Sequence, residues 1–177
     1  DTLHKHSDQD FIVFDMAPTA LTLRFFSLPF ITLIWLEELL TLRSEIYRKK
    51  EIISKIKIAG KEIEQDKVKA KLKSLIGNYE HLREHFMADT TRVNLVMNND
   101  KLSFSEAFRI RKKLTDISIV IDRIVINKLK EDENTPEIEN EFKDQKIAKL
   151  RLAPEGLTGY EVLKNYIEVN SEAFLNI

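Results

Sequence analysis

The sequence has no cysteine, and only four glycines and four prolines among its 177 residues. Without cysteine there are no disulfides, thiolate zinc sites or cysteine nucleophiles in this chain. The scarcity of glycine and proline argues against a glycine-rich or repeat architecture. Neither sign of charge dominates: 28 basic residues face 29 acidic ones. That balance supplies no global attraction to nucleic acid or to acidic membranes, so no nucleic-acid partner is expected. Long apolar runs are also lacking. The most apolar stretch, Phe25 to Leu36, is about a dozen residues against the roughly 20 of a membrane span. Ser27, Pro29 and Thr32 interrupt it, and no transmembrane helix is expected. With no signal-peptide pattern either, a cytoplasmic protein is the expectation, peripheral to a membrane at most.

What is present suffices for one domain with its own core, at 43% hydrophobic content. Phe11-Ile12-Val13-Phe14-Asp15 is a short apolar, β-branched run and reads as a buried strand ending in a carboxylate. Met16 to Thr19 reads as a turn. From about Thr32 to Met87 the pattern is helical: Leu36, Leu39, Leu40, Ile46, Tyr47 and Ile53 return to one face. Gly60 is a candidate break. Leu72, Leu75, Ile76, Tyr79, Leu82 and Phe86 make a second stripe. Residues 32–90 therefore read as a helical subdomain inserted between strands.

Val93 to Met97 reads as the next strand. Ser103 with Glu106 three residues on reads as a capping box opening a helix. Ile117 to Ile126 reads as a strand, Lys130 to Lys146 as a charged surface loop, and Lys149 to Leu152 as a last short strand. Gly159 to Phe174 carries a helical stripe through Leu163, Tyr166, Ile167 and Phe174. Strands alternating with helices predict an α/β fold, a mostly parallel sheet flanked by helices.

Three segments, in order, carry a family resemblance. Asp15-Met16-Ala17-Pro18-Thr19-Ala20-Leu21-Thr22-Leu23-Arg24, followed by Ser27-Leu28-Pro29, resembles the switch signature D-T-A-P-T-G-H-T-L-R with its nearby L-P. Val125-Ile126-Asn127-Lys128-Leu129 resembles a strand ending in a base-reading asparagine. Leu152-Ala153-Pro154-Glu155-Gly156-Leu157-Thr158-Gly159 resembles the loop against the adenine ring. All three belong to the arsenite-translocating and tail-anchored-protein-targeting ATPases, which have a P-loop NTPase fold. The resemblance covers nearly the whole chain, although Arg43 to Ala88 matches only in being helical.

The resemblance implies an ATP hydrolase using ATP and magnesium. Asp15 would hold magnesium, usually through water, because magnesium keeps several of its waters. Asp15, Pro18, Thr19, Thr22 and Arg24 would form the switch that responds to the γ-phosphate. Asn127, Lys128, Leu152, Ala153 and Pro154 would hold the adenine base. Partners would be a membrane pump or a hydrophobic membrane-protein client, and the assembly a homodimer.

Departures from the pattern are specific. Ala20 stands for the signature's glycine and limits the backbone to ordinary torsions. Leu21 stands for its histidine and removes a polar group. Arg151 and Gly156 replace a usual proline and a usual acidic residue. These 177 residues hold no counterpart of the family's phosphate-binding loop, which needs backbone N–H groups at a helix N-terminus and a lysine. Gly60-Lys61 is an isolated dipeptide. The phosphate loop and the catalytic aspartate are therefore expected in an upstream stretch on the order of a hundred residues, about half a domain. This chain is then the C-terminal part of the ATPase domain, with no catalytic residue of its own and weak ATP binding. A non-hydrolysing relative that grips a partner through the helices of Leu33 to Phe86 is the alternative.

Other residues have plainer readings. A strand-end aspartate on its own is more often a turn former than a metal ligand, and the ten-residue match is what singles out Asp15. His81 and His85 are spaced as two ligands on a helix face but have no third ligand in view, and His4 and His6 are isolated. Phe25 to Leu36 suits either buried core or a groove for a client helix.

Overall fold

The computed structural model describes residues 8–16, 19–56, 66–153 and 156–175. In chain order the elements are α1 (Thr19–Ile56), α2 (Lys67–Met87), β1 (Asn94–Asn98), α3 (Lys101–Asp116) and β2 (Arg123–Leu129). They are followed by α4 (Pro136–Glu141), β3 (Lys146–Arg151), α5 (Tyr160–Val169) and α6 (Ser171–Leu175). The strands form one parallel sheet in the order β1-β2-β3. Parallel neighbours cannot be joined by a tight hairpin, so each return to the sheet needs a crossover. α3 supplies the first and α4 the second. The fold is α/β, a parallel sheet flanked by helices.

β2 is the centre of the sheet and of the core. Ile124 and Ile126 are fully buried and pack with Met97, Leu114 and Phe142 in one apolar cluster. Burial of a side chain such as Phe142 stabilises the fold by about 2–3 kcal/mol. Arg111 covers this cluster from α3: its guanidinium stacks over Phe142 at 4.8 Å and also binds the carboxylate of Glu141.

The structure corrects several sequence expectations. Phe11–Asp15 has no regular secondary structure and joins no strand of the described sheet, and Phe11 and Val13 are 89% and 90% exposed. A strand is defined by its ladder, and β propensity alone does not make one. Of the expected Met16–Thr19 turn, Ala17 and Pro18 lie outside the described residues, and Thr19 already belongs to α1, which runs 38 residues through Pro29. Proline removes one helical hydrogen bond without ending the helix here; its ring is buried. As a result Thr19–Ile53, unlike the short run read from the sequence, is long and apolar enough to cross a membrane by length and composition. Its Phe26, Leu33 and Leu36 are buried within the folded body.

Ile117–Asp122 is a turn and loop, and β2 begins only at Arg123. Ile119 and Ile121 are β-branched because they plug the core from that loop. The charged segment Lys130–Lys146 contains α4, with Pro136 in its first turn and Ile138 and Phe142 buried. Its few apolar residues, not its many charges, decide where it sits. The cap of α3 is Asp100, whose carboxylate accepts from the Ser103 N–H and hydroxyl, each at 2.8 Å. Glu106 pairs with Arg109 instead of closing a capping box.

α1 and α2 lie against one another. The Phe86 ring meets Phe25 and Phe26 at 5.3 and 5.2 Å. Farther along, Asp66 does two jobs. Its carboxylate accepts from Lys69 N–H at 3.1 Å, capping α2, and receives Arg43 Nε of α1 at 2.9 and 3.1 Å. The Arg43 guanidinium, helped by the Lys69 N–H, holds the Asp66 carboxyl below the usual carboxylate range. A depressed folded-state pKa contributes stability above the unfolded value, about 3.9, that is lost as pH falls through the folded value. Arg43→Ala should therefore flatten the acid limb of stability below about pH 4. Urea midpoints at a series of pH values test this, and an unchanged acid limb would remove the pair from the account.

Candidate functional site

In a parallel sheet all carboxyl ends emerge at one edge, the edge at which open α/β sheets bind ligands. Here that edge carries Asn98 from β1, Asn127 and Lys128 from β2, and Leu152 and Ala153 just past β3. Asn98 and Asn127 are register partners.

The ladder between β2 and β3 is irregular at this point. From Ile126 to Leu129, β2 advances three residues, while β3 advances two, from Lys149 to Arg151. The extra residue makes a β-bulge, a device that re-aims side chains beside sites. Lys128 has φ 57°, the left-handed region that a side chain ordinarily avoids. Its N–H donates to Asn127 Oδ1 at 2.9 Å, which fixes the Asn127 carboxamide. Asn127 Nδ2 has no hydrogen-bond partner among the described residues and remains available as a donor. Beyond the bulge the chains pair again, with Leu152 N–H donating to Leu129 O at 2.9 Å. The structure thus brings Asn127, Lys128, Leu152 and Ala153 together. Pro154 lies outside the described residues.

The surrounding loops are tied down. Asn99 Nδ2 donates to Glu133 at 3.1 Å, linking the exits of β1 and β2. Thr135 Oγ1 and Lys149 Nζ both donate to Glu139, whose carboxyl is held low by Lys149 first and Thr135 second. Asn170 is buried at the α5–α6 break. Its Oδ1 accepts from Arg151 N–H at 2.9 Å and its Nδ2 donates to Tyr166 O at 2.8 Å, docking both helices on the end of β3. A cleft of about 360 Å³ beside the β1 exit is lined by residues that include Asn99, Asp100, Phe104 and Thr135. A larger hollow of about 490 Å³, lined by Phe30, Arg83, Glu84, Met87 and Ser118, includes none of the strand-end residues.

The switch residues are placed differently. Asp15 is an exposed residue outside any helix or strand. Thr19, Thr22 and Arg24 lie in the first two turns of α1, with Arg24 exposed. Pro18 lies outside the described residues. No group of three or more metal-ligating side chains occurs among the described residues. A single carboxylate is not a magnesium site by itself, since the ion takes several oxygen ligands, from phosphates and water as well as carboxylates. His81 and His85 are exposed on α2, with His81 3.4 Å from Glu84. Gly60, Lys61, His4 and His6 lie outside the described residues.

Sequence reasoning missed the bulge and the Asn98–Asn127 register. Asparagine tolerates the left-handed region better than lysine, so Asn127-Lys128 gives no local sign that Lys128 occupies it.

Comparison with known proteins decides the family. The profile of the anion-transporting ATPases matches residues 2–170. The chain belongs to the anion-transporting ATPase family. It is 26% identical over 181 residues to "Putative arsenical pump-driving ATPase 2" of Aquifex aeolicus (strain VF5), covering 94% of this chain and 58% of that protein. It is 28% identical over 183 residues to ATPase get3 of Schizosaccharomyces pombe (strain 972), covering 93% of this chain and 55% of that protein. The chain therefore spans little more than half the length of these relatives.

The bulge makes a testable demand. Lys128→Gly relieves the left-handed strain and should be neutral or stabilising by up to about 1 kcal/mol, whereas Lys128→Val should cost about 1–2 kcal/mol. Urea denaturation of the three proteins decides it; equal stabilities would mean that residue 128 is not held left-handed.

Proposed function

We propose that this chain is the base-holding and switch-bearing part of a magnesium-dependent ATPase that couples ATP hydrolysis to a membrane-directed task. The observation that carries this reading is Asn127, fixed by the bulge at the carboxyl edge of the sheet, in a chain of the anion-transporting ATPase family. Asn127 and Lys128 hold one side of the adenine ring, and Leu152, Ala153 and Pro154 wall the other. Asp15 holds magnesium through water, and Pro18, Thr19, Thr22 and Arg24 respond to the γ-phosphate. The task is either driving a pump for an anion such as an arsenical, or delivery of a membrane-protein client. The protein works in the cytoplasm, peripheral to a membrane, as a homodimer, and residues 32–90 act as its helical subdomain.

A second reading has its own support. Phe25 to Leu36 divides between two fates: Phe26, Pro29, Leu33 and Leu36 are buried, while Phe25, Leu28, Ile31, Ile34 and Trp35 face solvent, Trp35 at 67%. With Leu21, Leu39, Leu42 and Ile46, the exposed Leu28, Ile31 and Trp35 give α1 a long apolar face that no described residue covers, while Phe25 at its margin packs against Phe86. Such a face suits an apolar helix or a neighbouring protein surface. On this reading the helices grip a partner without hydrolysis.

Turnover separates the two. In the full-length protein Asp15→Asn should abolish magnesium-dependent ATP hydrolysis, and unchanged hydrolysis would take Asp15 out of the site. Asn127→Ala should weaken ATP binding by about three- to tenfold, the worth of one hydrogen bond. Equilibrium titration measures this; equal affinity would dissociate Asn127 from the base.

A further inference from the structure

We infer that Asn98 is a second base-reading residue, contacting the 6-substituent of a purine whose N7 meets Asn127. This rests on the reading of Asn127 as a base contact. Asn98 is the register partner of Asn127 on the adjacent parallel strand. Register partners project from the same face of a sheet, on strands about 4.8 Å apart. Asn98 is exposed, and its carboxamide has no hydrogen-bond partner among the described residues. Two carboxamides therefore stand side by side at the ligand-binding edge.

Their hydrogen-bonding capacities differ. Asn127 Oδ1 is engaged by the Lys128 N–H, so Asn127 presents Nδ2 as a donor. Adenine and guanine both carry the N7 acceptor, and beside it adenine offers a 6-amino donor while guanine offers a 6-oxo acceptor. A fixed donor on N7 recognises a purine but does not tell the two apart. The 6-position falls to Asn98. No described residue ties that carboxamide, so it can turn its oxygen to an amino group or its nitrogen to an oxo group. The site then accepts 6-amino and 6-oxo purines alike. Replacing the Asn98 amide by a carboxylate leaves only acceptors and should restore discrimination.

The test is nuclear magnetic resonance of the full-length protein, titrated with ATP, inosine triphosphate and purine riboside triphosphate, which lacks any 6-substituent. The side-chain NH₂ signals of Asn98 and Asn127 report each contact directly, and weak binding is measurable. Both signals should move with ATP and with inosine triphosphate. Asn98→Ala should weaken both nucleotides about three- to tenfold and leave purine riboside triphosphate unchanged. Asn98→Asp should keep ATP and lose inosine triphosphate by a similar factor. If Asn127 responds but Asn98→Ala leaves all three affinities unchanged, the inference falls and the Asn127 contact stands. An equal loss for all three nucleotides would make Asn98 a structural residue and also overturn it. If neither signal moves, the base-site reading falls, and the inference with it.

Discussion

The parallel pairing of β1, β2 and β3 is the constraint from which the rest follows. Parallel order forbids hairpins, so α3 and α4 must cross over between strands. Those crossovers bring Leu114, Ile138 and Phe142 onto the sheet, where they close over Ile124 and Ile126. The same pairing sends every strand's carboxyl end to one edge. Residues 98, 127 and 152 are distant in sequence and adjacent in space for that reason alone.

At this edge the ladder gives up regularity for geometry. Lys128 accepts a backbone conformation that costs on the order of 1 kcal/mol for a residue with a side chain. In return its N–H reaches Asn127 Oδ1 and sets the carboxamide's direction. Restored pairing between Leu129 and Leu152 confines the irregularity to one step. Asn170 and the Asn99–Glu133 contact hold the neighbouring loops, so the strand ends are braced from both sides.

Much of the fold was legible, and the failures share a cause. β1 and β3 were placed within a few residues, since short apolar runs between breaking residues have few alternatives. Ile117–Asp122 and Phe11–Asp15 misled because β-branched apolar residues mark burial or sheet propensity, while only a partner strand makes a ladder. α4 was hidden because Ile138 and the Phe142 that follows the helix are outnumbered by charges. Asp100 took the cap from Ser103 since both are good capping residues and only backbone geometry chooses. Of the candidate site, the strand-end positions of Asn127 and Leu152 were legible. The bulge and the Asn98 register were not, because pairing register is a property of two strands together.

α1 connects the two regions for which function is proposed. Thr19, Thr22 and Arg24 occupy its beginning, and Arg43 ties its later part to Asp66 and α2. A helix of this length spans about 57 Å, so a small tilt at its start becomes a large displacement at its far end. Pro29 sits between the two regions and withholds one hydrogen bond from the helix, which makes it the place where bending is cheapest. Its ring, however, is buried, as are Phe26 and Leu33 on either side of it in sequence, and burial across the proline resists independent motion of the two halves. A switch acting on the first turns would therefore move α1 largely as one body. It would carry the exposed face of Trp35, Leu39 and Leu42 with it, which is how a nucleotide signal at one end could alter what that face contacts.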